Sequence, residues 1–176
     1  GGQTADLLDG ENLDAGQYNW IRLELDTDPA ATYIIDELGG QHPLTIPSGD
    51  QRGLQLNRPF EIVTNGSASF VIDFDLRQSV TLQGDGSYRL RPTLRIVDAI
   101  EAGALFGSID AGLITPDCVP AVYVFAAGQP VDDIDGDDGD PLATAVMDPN
   151  GPYDYRVYPL EQGDYLASFT CNADLD

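Results

Sequence analysis

The stretch Ser67–Val97, SASFVIDFDLRQSVTLQGDGSYRLRPTLRIV, decides the fold class. In its first part Phe70, Ile72, Phe74 and Leu76 alternate with Val71, Asp73, Asp75 and Arg77. In its second part Leu90, Pro92, Leu94 and Ile96 alternate with Arg89, Arg91, Thr93 and Arg95. A period of two puts one set on the core face of a strand and the other on the opposite face. Gln83-Gly84-Asp85-Gly86-Ser87 supplies turn residues between them. The expectation is a pair of strands carrying a structural ion ladder. Asp73 and Asp75 stand on one strand, Arg89, Arg91 and Arg95 on the other. Each opposed pair would contribute about 0.2–1 kcal/mol and help fix the register.

On the N-terminal side of this pair, residues up to Gln17 are polar and turn-rich. Tyr18–Leu25 reads as a strand, followed by shorter ones at Thr32–Ile35 and His42–Ile46 and extended segments around Leu54, Leu56 and Phe60–Val63. Thr64-Asn65-Gly66-Ser67 reads as a type I′ hairpin turn leading into the central pair. On the C-terminal side, Asp98–Ala104 is the only passage with helical character, and it marks the expected domain boundary. Beyond it, Leu105–Ile109, Ala121–Ala126, Leu142–Met147, Tyr153–Tyr158 and Tyr165–Thr170 read as strands at short spacing. The fold expected is all-β, with two tandem β-sandwich domains over residues 1–98 and 99–176.

The chain has 176 residues and a formal charge of −22, from 30 acidic and 8 basic residues. All the basic residues are Arg. Such a field repels nucleic acid and anionic membranes, and neither is expected as a partner. It suits a salt-rich or calcium-rich exterior, where counterions screen self-repulsion. Hydrophobic residues make up 42%, enough for a packed core. No apolar run is long enough to span a membrane. No signal-peptide pattern is present, and the opening Gly1-Gly2 reads as a processed or trimmed product. Cys118 and Cys171 are the only cysteines. They are expected to form a disulfide, which places the protein in an oxidising compartment, extracellular or at the cell surface.

Two segments carry a family resemblance: AGQYNWIRLEL (Ala15–Leu25), and VIDFDLRQSV (Val71–Val80) followed by YRLRPTLRIVD (Tyr88–Asp98). Over about Ala15–Asp98 the chain resembles a bacterial family of secreted and lipid-anchored surface proteins with no assigned function. The resemblance implies no catalytic residues. It also implies a further strand-bearing segment before the point where this chain begins. The expectation drawn from that is an open edge, filled by a strand from another chain in a surface filament. PAVYVFAA (Pro120–Ala127) and YDYRVYPLEQGDYLASFTC (Tyr153–Cys171) resemble a prealbumin-like module of the carboxypeptidase-regulatory or Cna-B kind. This likeness implies a stalk, spacer or adhesion unit.

Among candidate sites, the acidic loop DDIDGDDGD (Asp132–Asp140) is the most suggestive. Asp133, Asp135 and Asp137 have the one-three-five spacing of calcium loops, and Asp140 can add a ligand. The loop is not an EF-hand, because Asp138 stands where glycine is needed and Thr144 where glutamate is needed. His42 lacks the partners of a zinc site, and no Gly-x-Ser-x-Gly elbow, phosphate loop or dinucleotide fingerprint occurs. Tyr123, Tyr153, Tyr155, Tyr158 and Tyr165 form a sugar-stacking platform if exposed and core if buried. The function expected is a non-catalytic extracellular structural protein, with self-association or other surface proteins as partners and calcium as its ion. The alternative is a carbohydrate- or ligand-binding adhesion module.

Overall fold

The computed structural model describes residues 5–26, 28, 30–36, 38–47, 53–136 and 139–173. Almost all regular structure is β, as the sequence predicts. The chain forms two compact units. One comprises Leu13–Ala68 and Ile72–Ile96; the other takes the residues up to Asn12, Ser69–Val71, and those from Val97 on.

The unit of Leu13–Ala68 and Ile72–Ile96 is built from short strands. β1 (Gly16–Tyr18) pairs antiparallel with β6 (Phe60–Ile62), setting the ring of Tyr18 on that of Phe60 at 5.1 Å. β2 (Ile21–Leu23) pairs with β5 (Leu54–Leu56). The single strand expected over Tyr18–Leu25 is therefore two, interrupted at Asn19-Trp20 and paired with different partners. Gly53 leads into β5 with φ of +60°, and a Cβ there would lie 2.3 Å from the Leu23 carbonyl oxygen. Only glycine fits that approach. A four-stranded sheet has the order β3 (Tyr33–Ile35), β4 (Gln41–Thr45), β9 (Tyr88–Leu90), β8 (Val80–Leu82). Within it, β4 and β9 run parallel.

The central stretch differs from a plain hairpin in one respect. β7 (Phe70–Asp75) ends where α1 (Leu76–Ser79), a single helical turn, begins. The Asp75 carboxylate accepts the Arg77 and Gln78 N–H groups and so caps that turn. Phe74 and Leu76, expected inward, are exposed. The facing strand is interrupted opposite, at Arg91-Pro92, since proline brings no N–H to a ladder. The hairpin thus divides. β8 pairs with β9 around the Gln83–Ser87 turn, while β7 pairs with β10 (Thr93–Asp98). Ser79 joins the two breaks and is fully buried. Its carbonyl accepts the Arg91 N–H at 2.7 Å, its Oγ accepts the Thr93 N–H at 2.8 Å, and its hydroxyl donates to the Asp75 carbonyl.

The Asn65-Gly66 signal also resolves differently. The turn is Val63–Gly66, closed by the Gly66 N–H on the Val63 carbonyl. Among its non-glycine residues Asn65 alone has positive φ, at 60°. Positive φ at the third position is the pattern of a type II turn, not type I′. The flanking strands accordingly do not pair with each other: β6 joins β1, and β7 joins β10.

In the other unit, Asp98–Ala104 is a turn rather than a helix, and β11 (Gly103–Ser108) begins within it. β11 pairs with β14 (Asp154–Leu160). β12 (Ala121–Ala126) lies between β13 (Ala143–Val146) and β15 (Tyr165–Thr170). Val122, Val124, Ala143, Met147, Val157 and Leu160 form a buried cluster, with Leu105, Tyr155 and Phe169 packed against it. These side chains come from both sheets and make the layer between them. The opposite face of β12 presents Ala121, Tyr123 and Phe125, also buried and joined by Ile134 and Ala173. Ile134 belongs to the acidic loop, so that loop contributes an apolar side chain to the second face of the sheet.

Three tyrosines close the turns before or beside their strands. Tyr18, Tyr153 and Tyr165 each donate their hydroxyl to the carbonyl four residues earlier, of Asp14, Pro149 and Glu161, at 3.0, 3.1 and 2.7 Å. In each case glycine stands two residues before the tyrosine. This is the hydrogen bond of a tyrosine corner.

Candidate functional site

β11 and β14 place one polar-aromatic ledge on the outer face of their sheet. Val157 and Leu105 are cross-strand partners turned to the core, so the residues beside them in the strands turn outward. Phe106 faces outward opposite Arg156 and is 75% exposed. Tyr158, two residues along β14, lies on the same face, and the Arg156 guanidinium stands 4.5 Å from its ring centroid. A cation over a ring at that distance is a favourable cation–π pair. On the inner face Gly107 makes room for Tyr155: a Cβ there would lie 2.7 Å from the tyrosine hydroxyl.

The five tyrosines considered as a platform are therefore divided. Tyr123 is buried, and Tyr153, Tyr155 and Tyr165 pack against the core. Tyr158 is on the ledge, joined by Phe106 and Arg156, which the sequence did not single out. Their signal was available: Phe106 and Arg156 each alternate with residues of core type.

The expected ion ladder contains a close pair, Arg95 to Asp73 at 2.6 Å between β10 and β7. Asp75 is engaged as the cap of α1. Arg89 has Thr81 and Thr45 as its cross-strand neighbours, and Arg91 lies exposed in the break beside Pro92.

Of the calcium-loop residues, Asp137 lies outside the described residues. Asp133 and Asp135 are exposed. Asp140 turns its carboxylate onto the loop's own backbone, accepting the N–H groups of Asp135 at 3.0 Å and Gly136 at 3.2 Å. Asp132 accepts the Asp133 N–H. Among the described residues no group of three or more His, Cys, Asp or Glu side chains is gathered to hold a metal.

His42 has an acidic partner, Asp36. Its Nε2 stands 2.7 Å from Asp36 Oδ2, and its ring packs on Tyr88 at 5.2 Å. Asp36 also accepts the N–H groups of Gly40 and Leu38. The His42 hydrogen bond, ahead of that from Gly40, holds the Asp36 carboxyl below the usual carboxylate range. The arrangement closes the turn between β3 and β4.

Cys118 and Cys171 are bonded, with Cα atoms 4.5 Å apart. The bridge ties the approach to β12 to the end of β15, where the Val119 N–H also meets the Cys171 carbonyl. Among the described residues no helix is long and apolar enough to cross a membrane.

Fold and surface together define an all-β, disulfide-closed, strongly acidic protein. The chain belongs to the family described as a domain of unknown function (DUF4382), whose profile matches residues 1–92. That span includes Ala15–Leu25, the α1 break and the β8–β9 hairpin. No curated protein and no solved structure matches the chain.

Proposed function

We propose that this chain is a non-catalytic structural module that works outside the cell, associating with itself or with other surface proteins. The observation that carries this reading is the Cys118–Cys171 disulfide, because such bridges persist in oxidising compartments. The charge of −22 without a lysine agrees with a salt-rich exterior. The unit from β11 to β15 acts on this reading as a prealbumin-like stalk or spacer. The test is to locate the protein in its native cells by protease shaving and by fractionation, with thiol labelling of the recovered chain. Protection from the protease in intact cells, together with two free thiols, overturns the reading.

A second reading, adhesion to neutral carbohydrate, is favoured by the Phe106–Arg156–Tyr158 ledge. Sugar rings stack on exposed aromatic faces, and a guanidinium offers several donors to hydroxyl oxygens. Glycan-array binding that is lost in Phe106→Ala supports it. Binding unchanged in that variant, or absent altogether, removes it.

A further inference from the structure

We propose that β15 is a self-association edge, at which two copies of this chain join their sheets antiparallel about a two-fold axis. The proposal deepens the structural reading above and rests on it only in that the chain associates with itself.

β15 is the outer strand of the sheet β13-β12-β15 and pairs with β12 alone among the described residues. Its six residues, Tyr165-Leu166-Ala167-Ser168-Phe169-Thr170, run opposite β12 from Ala126 to Ala121 with no shift in register. They include no charge, proline or glycine. Edge strands are normally protected by these devices or by a bulge, because free N–H and C=O groups template pairing with another strand. β11 makes the contrast: it too carries no charge, but it contains two glycines and a register shift between Gly103 and Leu105. The edges β3, β8 and β13 are also uncharged and regular, but they are only three or four residues long, and shortness itself protects an edge; β15 offers six residues.

The alternation of the ladder identifies the groups on offer. The Ala127 N–H donates to the Asp164 carbonyl, continuing the β12–β15 register by one step. Alternation then directs the backbone groups of Leu166, Ser168 and Thr170 to β12, and those of Tyr165, Ala167 and Phe169 to the open side. Leu166 is 40% exposed and Ala167 is exposed beside it. In a two-fold pairing only residues on the same face can oppose one another. A register centred on Ala167 satisfies this. It sets Tyr165 against Phe169 of the partner subunit, Leu166 against Ser168 of the partner subunit, and Ala167 against its own image. Aromatic pairs and small residues at the axis suit close antiparallel strands.

A second copy is the occupant because the edge is self-complementary and free of like charges at the contact. The opposing force is the net charge of each copy, and it is long-ranged. The screening length falls from about 10 Å at 0.1 M salt to about 3 Å at 1 M. Association is therefore expected to strengthen with salt, the reverse of a contact held by ion pairs. The two-fold contact is isologous and closes at two copies.

The test is sedimentation of the whole chain between about 0.1 and 1 M sodium chloride. The expected result is a shift from monomer to dimer. Ala167→Lys sets like charges at the axis and is expected to raise the dimer dissociation constant by at least about ten-fold. Ala167→Pro, which removes an N–H directed at the open side, gives the same loss by a different route. Ala167→Cys is expected to give a disulfide-linked dimer on mild oxidation at high salt, while Ser108→Cys on β11 is not. Circular dichroism verifies that each variant is folded. Monomer at every salt concentration, a dimer indifferent to both Ala167→Lys and Ala167→Pro, or open-ended polymer in place of dimer each overturns the proposal. None of these bears on whether the protein is exported, which shaving and thiol labelling decide separately.

Discussion

Replacing Ser79 by alanine tests the account of the divided hairpin most directly. Ser79 is 0% exposed and joins both interruptions. Its Oγ is the acceptor for the Thr93 N–H at 2.8 Å, and its hydroxyl serves the Asp75 carbonyl at the start of α1. Alanine removes both bonds while leaving the Ser79 backbone carbonyl free to hold the Arg91 N–H. A buried donor left without a partner costs about 1–3 kcal/mol. The residue lost is small, so the cavity adds little, and a loss near 2 kcal/mol is expected. For a chain of this length, that corresponds to a fall in Tm of about 4–8 °C. Urea denaturation followed by tryptophan fluorescence is a suitable assay. Trp20 is the single tryptophan and belongs to the same compact unit as Ser79. Ser108→Ala, at an exposed position of β11, is the control and should stay within about 0.5 kcal/mol of the wild type. If Ser79→Ala does the same, Ser79 is not what holds the two hairpins in line.

Three further outcomes can be measured. Replacing Cys118 and Cys171 together by serine opens a cross-link spanning 53 positions, and the chain-entropy model puts its contribution near 4 kcal/mol; denaturant titration reads the loss, and a change below about 1 kcal/mol contradicts it. Asp36 has a depressed carboxyl pKa, first through His42 and then through Gly40, so its contribution is complete above the unfolded value of about 4 and disappears as the pH falls through the lower folded value. In acid titrations of stability Asp36→Asn should flatten that part of the curve, and an unchanged curve would show that the pair does not couple to folding. For the acidic loop, calcium held by Asp133, Asp135, Asp137 and Asp140 would raise Tm on addition of the ion. Asp133→Asn with Asp135→Asn should abolish the rise, while no rise in the wild type would leave the loop as a cover for β12 and nothing more.

Legibility in the sequence followed the strength of the core. β12 and β15 were readable residue for residue, since Ala121–Ala126 is a continuous apolar run and Tyr165–Thr170 leads directly into Cys171, one of the two cysteines. Both strands lie against the largest buried cluster, where burial and propensity agree. The central stretch was readable in its turn and its strand type but not in its break. Leu76 satisfies a period of two by chance, and that hides the cap signal of Asp75 followed by a helical turn. Asp98–Ala104 failed for the opposite reason: alanine and glutamate suggest a helix, and pairing with β14 takes the segment from Gly103 into a sheet.

The candidate site was the least legible part, for a reason that lies in the side chains themselves. Tyrosine serves three purposes here. It is core at Tyr123, a turn lock at Tyr18, Tyr153 and Tyr165, and surface at Tyr158. Composition cannot separate these, but local context can. Each turn-locking tyrosine follows glycine by two positions, which brings the chain round so that its hydroxyl reaches the carbonyl four residues back. Tyr165→Phe is expected to lose one hydrogen bond and about 1 kcal/mol, with the ring still packed against the core. Tyr158→Phe, whose ring still faces Arg156, should lose almost nothing. Equal losses at the two positions would mean that the hydroxyls do not distinguish the roles, and that the Gly-x-Tyr pattern is coincidence.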